Sequence, residues 1–116
     1  MSYTITKQPD GDINFGSKSG ELVTLVDSVS DYPIGGYLFT SGESYNNNTA
    51  LTLNVALWRI DTIQPWGGQG GLLPIWNPTT QKLQLFEVGG SGAPNSELPN
   101  GTDVSGYTFL LCVIGL

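Results

Sequence analysis

The sequence predicts an all-β protein: a single antiparallel β-sandwich or jelly-roll domain with an N-terminal extended arm. Three observations lead to this fold class: short runs rich in β-branched and aromatic residues, turn signals between these runs, and the lack of a long helical pattern. The 16 glycines and seven prolines supply most of the turn signals. A chain of 116 residues fits one domain, and we expect about seven short strands in it.

The first 20 residues predict the arm. They contain only four large apolar side chains beyond Met1, namely Tyr3, Ile5, Ile13 and Phe15, among polar residues, glycines and a proline. So few apolar groups do not offset an ordering entropy of ~1–2 kcal/mol per residue, so we expect residues 1–20 to become ordered on a partner. Residues 21–116 then form the domain. The alternative is that residues 1–20 are an edge strand of that domain.

The longest regular pattern lies in residues 51–63. Leu51, Leu53, Val55 and Leu57 recur at period two, which indicates a strand over Leu51–Ile63. A helix that brings Leu53, Leu57 and Ile60 to one face is the alternative, and the richness in β-forming residues favours the strand.

Five other segments are also expected to be strands. The run Tyr107–Ile114 is apolar almost throughout, which is typical of a central strand buried on both faces. The remaining strands are Leu22–Val26, Ile34–Thr40, Leu72–Trp76 and Leu83–Val88, with a hairpin turn over Asn77–Lys82 joining the last two. The predicted core consists of Leu53, Val55, Leu57, Leu83, Leu85, Leu111 and Val113.

Charged residues are scarce. They make up 12% of the chain, against about 25% in an average soluble domain, and the net charge is −6. Four cations cannot form the basic face that binding to a phosphate backbone requires, so we expect no nucleic-acid partner. Depletion of charge is typical of interface cores, which favours a protein that lies against other protein. An ordinary low-charge β-protein is the alternative.

The chain shows no targeting or membrane signal. Its first residues lack a charged and then apolar leader, and its longest apolar run, Phe109–Ile114, is far shorter than a membrane span. We therefore expect a protein made in a cytoplasm and without a membrane partner. The single cysteine, Cys112, has apolar neighbours, which predicts a buried and unreactive thiol.

Histidine and the common catalytic motifs are missing from the sequence, and a pair of carboxylates acting as acid and base is the alternative that its ten acidic residues leave open. Because it has no histidine, it lacks the Ser-His-Asp and Cys-His arrangements and the common zinc ligands. Neither a phosphate-binding loop nor a dinucleotide-binding motif is present. We therefore expect a protein that is not an enzyme and that uses no cofactor.

One spacing resembles a calcium-binding loop. Asp10, Asp12, Asn14 and Glu21 occupy positions 1, 3, 5 and 12 of that pattern. Phe15 stands where the sharp turn requires glycine, and no helical pattern flanks the segment. The sequence therefore predicts a hydrated turn and no metal site.

The aromatic residues give a binding alternative. Six of them could stack on sugar rings: Trp58, Trp66, Trp76, Tyr32, Tyr37 and Tyr45. Packing in the core and at interfaces is the more common role of such side chains. Trp66 lies in the glycine-rich loop Pro65–Gly71, so we expect it to be exposed.

Four segments, taken in order, resemble the small capsid decoration (cement) proteins of tailed phages and related virion structural proteins. These segments are Trp58–Ile63, Asn77–Phe86, Glu97–Gly106 and Phe109–Gly115. The resemblance spans about the second half of the chain and is one of element order rather than of a single motif, and the first half departs from it.

The resemblance implies a β-sandwich or jelly roll on the outside of an icosahedral head. It implies that the major capsid protein is the partner, that the chain is a homo-oligomer, most often a trimer, and that it is found on the capsid surface of the virion after synthesis in the host cytoplasm. We expect the partner contacts to include Tyr3, Ile5, Ile13, Phe15 and Trp66. The alternative function is a carbohydrate-binding β-sandwich, either a tail-associated or a lectin-like module.

Overall fold

Eight strands form in the computed structural model, which describes residues 3–27, 31–41, 55, 57–65, 71–89 and 91–116. In chain order they are β1 (Tyr3–Phe15), β2 (Lys18–Asp27), β3 (Tyr37–Leu38), β4 (Ile60–Pro65), β5 (Leu72–Asn77), β6 (Lys82–Glu87), β7 (Ser96–Glu97) and β8 (Thr108–Gly115). The described residues contain no helix, and therefore no helix that could span a membrane.

The first sheet has the strand order β1-β2-β8-β4, with antiparallel neighbours throughout. Strand β8 lies between β2 and β4, so its backbone groups are paired on both sides. Phe109, Leu111 and Val113 of this strand are buried, and Cys112 is buried as well. The predictions of a central closing strand and of a buried cysteine are both confirmed.

The second sheet has the order β3-β6-β5, again antiparallel. The short strand β7 pairs with the far end of β6, on the same side as β3. The predicted hairpin joins β5 to β6, and Asn77 accepts hydrogen bonds in its turn from the backbone N–H groups of Thr79 and Thr80 at 3.0 and 3.4 Å. Side chains that bond their own backbone in this way favour tight turns.

The two sheets enclose one apolar core, as expected of a β-sandwich. Alternate residues of β2 face inward, so that Glu21, Val23, Leu25 and Asp27 are all buried. The predicted core residues Val55, Leu57, Leu83, Leu85, Leu111 and Val113 are buried too. Leu53 lies outside the described residues. The all-β, antiparallel sandwich predicted from the sequence is therefore confirmed.

Two predicted strands are shorter than expected. Of Leu51–Ile63, residues 57–59 are not in a strand, and β4 begins only at Ile60. Trp58 and Arg59 both donate their backbone N–H groups to one acceptor, the carbonyl of Leu116 beyond the end of β8. Residues 51–54 and 56 lie outside the described residues. Of Ile34–Thr40, only Tyr37–Leu38 is a strand, since Gly35 and Gly36 turn the chain with positive φ.

The segment predicted to be an arm is extended and paired. Residues 3–15 form β1, the edge strand of the first sheet, with an irregularity in register between Lys7 and Asp12. Because β2 begins at Lys18, the expected boundary between residues 20 and 21 falls within a strand. The arrangement corresponds to the alternative considered above, an edge strand of the domain.

An ion cluster ties β2 to β4. Asp61 binds Lys18, and its carboxylate accepts a hydrogen bond from the Arg59 guanidinium at 2.7 Å. Both hydrogen bonds lower the pKa of Asp61, to about 2, and the one from Arg59 has the larger effect. The cluster is partly exposed, so its contribution to stability is reduced by solvent screening.

Candidate binding surfaces

Of the five residues predicted to contact a partner, the structure describes the side chains of Tyr3, Ile5 and Ile13, which do not form one surface. Tyr3 is half-buried, its ring meets that of Tyr37 edge-on at 4.9 Å, and its hydroxyl donates to the Leu38 carbonyl at 2.9 Å. Ile5 also packs against the core. Tyr3 and Ile5 therefore join the sheets to one another.

Ile13 and Phe15 lie at the other end of β1. Ile13 lines a cleft near the end of β8, and Phe15 pairs with Lys18 through the backbone of the β1–β2 hairpin. The side chain of Phe15 and all of Trp66 lie outside the described residues.

Two of the tyrosines proposed for sugar stacking form a buried polar network instead. Tyr37 donates its O–H to the carboxylate of Asp27 at 2.8 Å, and Tyr32 donates to Glu97 at 2.5 Å. The Tyr32 oxygen also accepts the backbone N–H of Leu85 at 3.1 Å. Both rings are fully buried, so neither can stack on a ligand. Desolvation by burial, reinforced by the acceptor carboxylates, raises the pKa of both hydroxyls well above its ordinary value.

The tryptophans do not form a common platform in the part of the chain that the structure describes. Trp58 is 57% exposed. Trp76 is partly buried and meets Phe39 edge-on at 6.1 Å. Of the candidate sugar-stacking residues that are described, Trp58 alone presents its ring to solvent.

One cleft lies where β1 is irregular, and it contains most of the calcium-like pattern. It measures about 520 Å³ and is lined by Lys7, Asp12, Asn14 and Glu21, among others. Asp12 faces Glu21 across the β1–β2 pair, but its carboxylate forms an ion pair with Lys7 at 2.7 Å. Residues 3–27 and the other described segments hold no group of three metal-ligating side chains.

A second cleft, which we call the acidic cleft, lies at the other end of β8. It has a volume of about 410 Å³ and a lining of Gly71, Leu72, Glu87, Val88, Leu98, Thr102, Asp103, Val104 and Tyr107. Its position follows from the register, since Thr108 at the start of β8 pairs with Val26, whereas Val113 pairs with Glu21 beside the first cleft. Sequence reasoning gave no signal for the acidic cleft, because its walls come from three segments that only the fold brings together.

The outward face of the second sheet carries an apolar area beside polar residues, among them Gln84 opposite Ile75. Leu73 and Ile75 alternate with buried Pro74 along β5, and they are 36% and 43% exposed. Phe86, directly opposite Leu73 on β6, shares this face, and Val88 just beyond β6 is 58% exposed. We call Leu73, Ile75, Phe86 and Val88 the outer patch. The sequence of Leu72–Trp76 indicated this patch. Its apolar residues occur at consecutive positions, so some of them must lie on the outward face of the strand as well as on the inward one.

Comparison of the chain with protein-family models, with curated proteins and with solved structures finds no match.

Proposed function

We propose that this chain is a non-enzymatic structural protein of a phage virion, a decoration protein that binds the outside of the capsid and stabilises the head as a homotrimer. The observation that carries the proposal is the outer patch, an apolar area on the paired strands β5 and β6. Its partners are the major capsid protein and further copies of the chain.

The outer patch is suited to protein contact. Three of its four side chains are more than a third exposed, and they lie side by side on β5 and at the end of β6. Scattered apolar residues on a surface are ordinary, whereas neighbouring ones on one sheet face are typical of interaction sites. Full burial of a side chain of this size is worth about 1.5–3 kcal/mol, so covering the patch can stabilise a complex by several kcal/mol.

The composition supports a role on a shell rather than in catalysis. The chain has no histidine, a net charge of −6 and few charged residues, which leaves much of its surface neutral. A protein that binds only the assembled shell stabilises that shell by mass action. This is the role that the resemblance of the second half of the chain implies.

Carbohydrate binding is the second candidate, and the exposed ring of Trp58 favours it. Aromatic rings stack on the apolar faces of sugars, and a single exposed tryptophan offers one such surface. Titration with glycans, followed by tryptophan fluorescence of the wild-type chain and of Trp58→Phe, separates this candidate from the first.

The test of the main proposal combines light scattering with co-sedimentation on capsid shells. We expect a mass three times that of the monomer at tens of micromolar, and binding of the chain to the shells. Ile75→Lys places a charge in the outer patch and is expected to weaken both. Thr4→Lys is the matched control, because Thr4 is exposed on β1 in the other sheet. A sharp monomer mass would refute the trimer, and failure to co-sediment would refute the role on the capsid.

A further inference from the structure

Three hydrogen bonds surround the dipeptide formed by Asn100 and Gly101. The N–H of Gly101 donates to the Tyr32 carbonyl at 2.8 Å, and the N–H of Tyr32 donates to the Thr102 carbonyl at 3.0 Å. The N–H of Ile34 donates to Oδ1 of the Asn100 side chain at 3.1 Å. We call these three hydrogen bonds the clasp. It engages both groups through which an asparagine–glycine pair can modify itself.

Asn100 and Gly101 form the one asparagine–glycine pair of the sequence. In such a pair the backbone nitrogen of the glycine attacks the side-chain carbon of the asparagine, and glycine has no Cβ to hinder the approach. Asn100 is exposed, so water reaches its amide. Asn95 is exposed as well, but Ser96 follows it, and the side chain of that serine hinders the same approach.

The reaction proceeds through a succinimide and consumes only water. Hydroxide removes the N–H proton of Gly101, a bond forms between that nitrogen and Cγ of Asn100, and the bond from Cγ to Nδ2 breaks. Nδ2 takes a proton from water and leaves as ammonia, which regenerates the hydroxide. Water then opens the succinimide ring. Cleavage at Cγ gives aspartate, and cleavage at the backbone carbonyl carbon gives isoaspartate.

The clasp opposes the attack. Gly101 must lose the proton that it donates to the Tyr32 carbonyl, and its anionic nitrogen would then lie 2.8 Å from an oxygen that carries partial negative charge. The bond from Ile34 draws electron density from Cγ of Asn100, but it also restricts rotation of this side chain toward the nitrogen. Because the proton must leave first, the folded chain reacts only through conformations in which the clasp is open.

Glu97 supports the clasp from β7. Its Oε2 atom accepts the N–H of Gly35 at 2.8 Å and the O–H of Tyr32 at 2.5 Å. Both bonds hold residues 32–35 next to Asn100. Loss of this carboxylate therefore favours opening of the clasp.

We propose that Asn100 is a self-modification site of this chain, which deamidates through a succinimide with Gly101 when the clasp opens. Isoaspartate adds a methylene group to the main chain between residue 100 and Gly101, and so displaces the Gly101 N–H and the Thr102 carbonyl from Tyr32. The clasp then cannot close with its native geometry, and the change is irreversible. The inference does not depend on the proposed function.

Peptide mapping by mass spectrometry tests the proposal. The full chain is incubated at mildly alkaline pH with and without guanidinium chloride, and deamidation of each asparagine is followed over time. We expect Asn100 to react before Asn95 in denaturant, and at least about tenfold more slowly in native buffer, since only the open fraction reacts. In native buffer Glu97→Ala should react about fivefold faster than wild type. Glu87→Ala is the matched control and should stay within about twofold of wild type, because this carboxylate is exposed and none of the described hydrogen bonds joins it to the clasp.

Thr102→Val is the second variant, which is used if circular dichroism shows that Glu97→Ala does not fold. It removes the hydrogen bond from the Thr102 hydroxyl to the Pro99 carbonyl at 2.7 Å and should raise the native rate about threefold. Equal rates with and without denaturant, or earlier reaction at Asn95, would overturn the inference. A native rate unchanged in the folded variant would overturn it too. The isoaspartate form, separated by chromatography, should unfold at a lower denaturant concentration than the unmodified chain, and an equal midpoint would show that the clasp still closes.

Discussion

Tyr37 joins the two sheets through both its ring and its hydroxyl group. Its ring lies between those of Tyr3 and Tyr32, at centroid distances of 4.9 and 5.6 Å, and both contacts are edge-to-face. Its O–H donates to Asp27, which is also buried. A buried carboxylate is tolerated where hydrogen-bond donors satisfy it, so Tyr37 helps to keep Asp27 in the core.

Tyr37→Phe retains the ring and removes the donor. We expect the free energy of unfolding to fall by about 1–3 kcal/mol, because a hydrogen bond to a buried carboxylate is lost. Urea denaturation followed by tryptophan fluorescence measures the change. Tyr107→Phe is the control, as its ring is only partly buried and its hydroxyl has no hydrogen bond in the described structure. Equal stability of Tyr37→Phe and wild type would show that Asp27 does not depend on this donor.

The tyrosine network is also expected to contribute to the loss of stability in alkali. The pKa values of Tyr32 and Tyr37 are raised in the folded chain, foremost by burial, and return to about 10 on unfolding. A raised folded-state pKa contributes stability that is fully present below the unfolded value and is lost as pH rises above it. We expect the urea midpoint to fall above about pH 10, and less steeply in Tyr37→Phe. Ionisation of these two tyrosines before unfolding, seen in the near-ultraviolet absorbance, would contradict this expectation.

At the scale of the element, β3 meets β6 at a glycine. Gly36 has a φ of +106°, and a Cβ added to it would lie 2.4 Å from the Leu83 carbonyl oxygen. Gly35 beside it has a φ of +96° and open space around it. Alanine substitutions at these two glycines therefore separate the effect of a steric clash from the effect of an unfavourable backbone conformation.

Gly36→Ala should destabilise the protein by about 3 kcal/mol or more, because it adds a backbone clash to an unfavourable φ. Gly35→Ala meets only the unfavourable φ and should cost about 1–2 kcal/mol. Denaturant titration of the two variants side by side measures the difference. Equal losses would show that β3 can move away from β6 without cost.

The edge strand β1 is the second element with a specific expectation. A chain that begins at Ser19 lacks β1, and with it the packing of Tyr3 and Ile5 against the core. We expect it to lose about 3–5 kcal/mol of stability or to fail to fold, since burial of such side chains contributes about 1.5–3 kcal/mol each. A chain that begins at Tyr3 retains β1 and serves as the control. Cooperative folding of the Ser19 chain with wild-type stability would show that residues 1–18 are an arm.

At the scale of the whole molecule, Cys112 reports on global opening. It is 1% exposed, and it lies in β8 between Leu22 of β2 and Gln64 of β4. Burial also raises the pKa of its thiol, which lowers the fraction of reactive thiolate. A reagent therefore reaches Cys112 only when the first sheet separates at its centre.

We expect an aromatic disulfide reagent to react with Cys112 slowly in native buffer and rapidly in denaturant. Variants that lower global stability, such as Gly36→Ala, should react faster in proportion to their unfolded population. Absorbance of the released thiolate measures the rate. Fast reaction in native buffer, independent of denaturant, would show that β8 opens locally without unfolding of the domain.

The sequence alone determined those features that depend on local pattern. The apolar run ending in Val113 and Ile114 predicted a strand at the centre of a sheet, and β8 is that strand. The turn over Asn77–Lys82 predicted the β5–β6 hairpin, since the polar side chains that form such a turn are its own residues. Both features can be read from a few neighbouring residues, because each depends on the side chains of one strand or one turn.

Only the tertiary structure decided which residues meet across the sandwich. Tyr3 and Ile5 are too sparse to predict burial in their own segment, and they are partly buried because β3 and the core lie opposite them. The acidic cleft likewise draws Glu87 and Tyr107 from distant parts of the chain. Contacts of this kind depend on the pairing of strands far apart in sequence. The alternation of apolar residues along a strand shows which of its faces is apolar, but it does not show which residues cover that face.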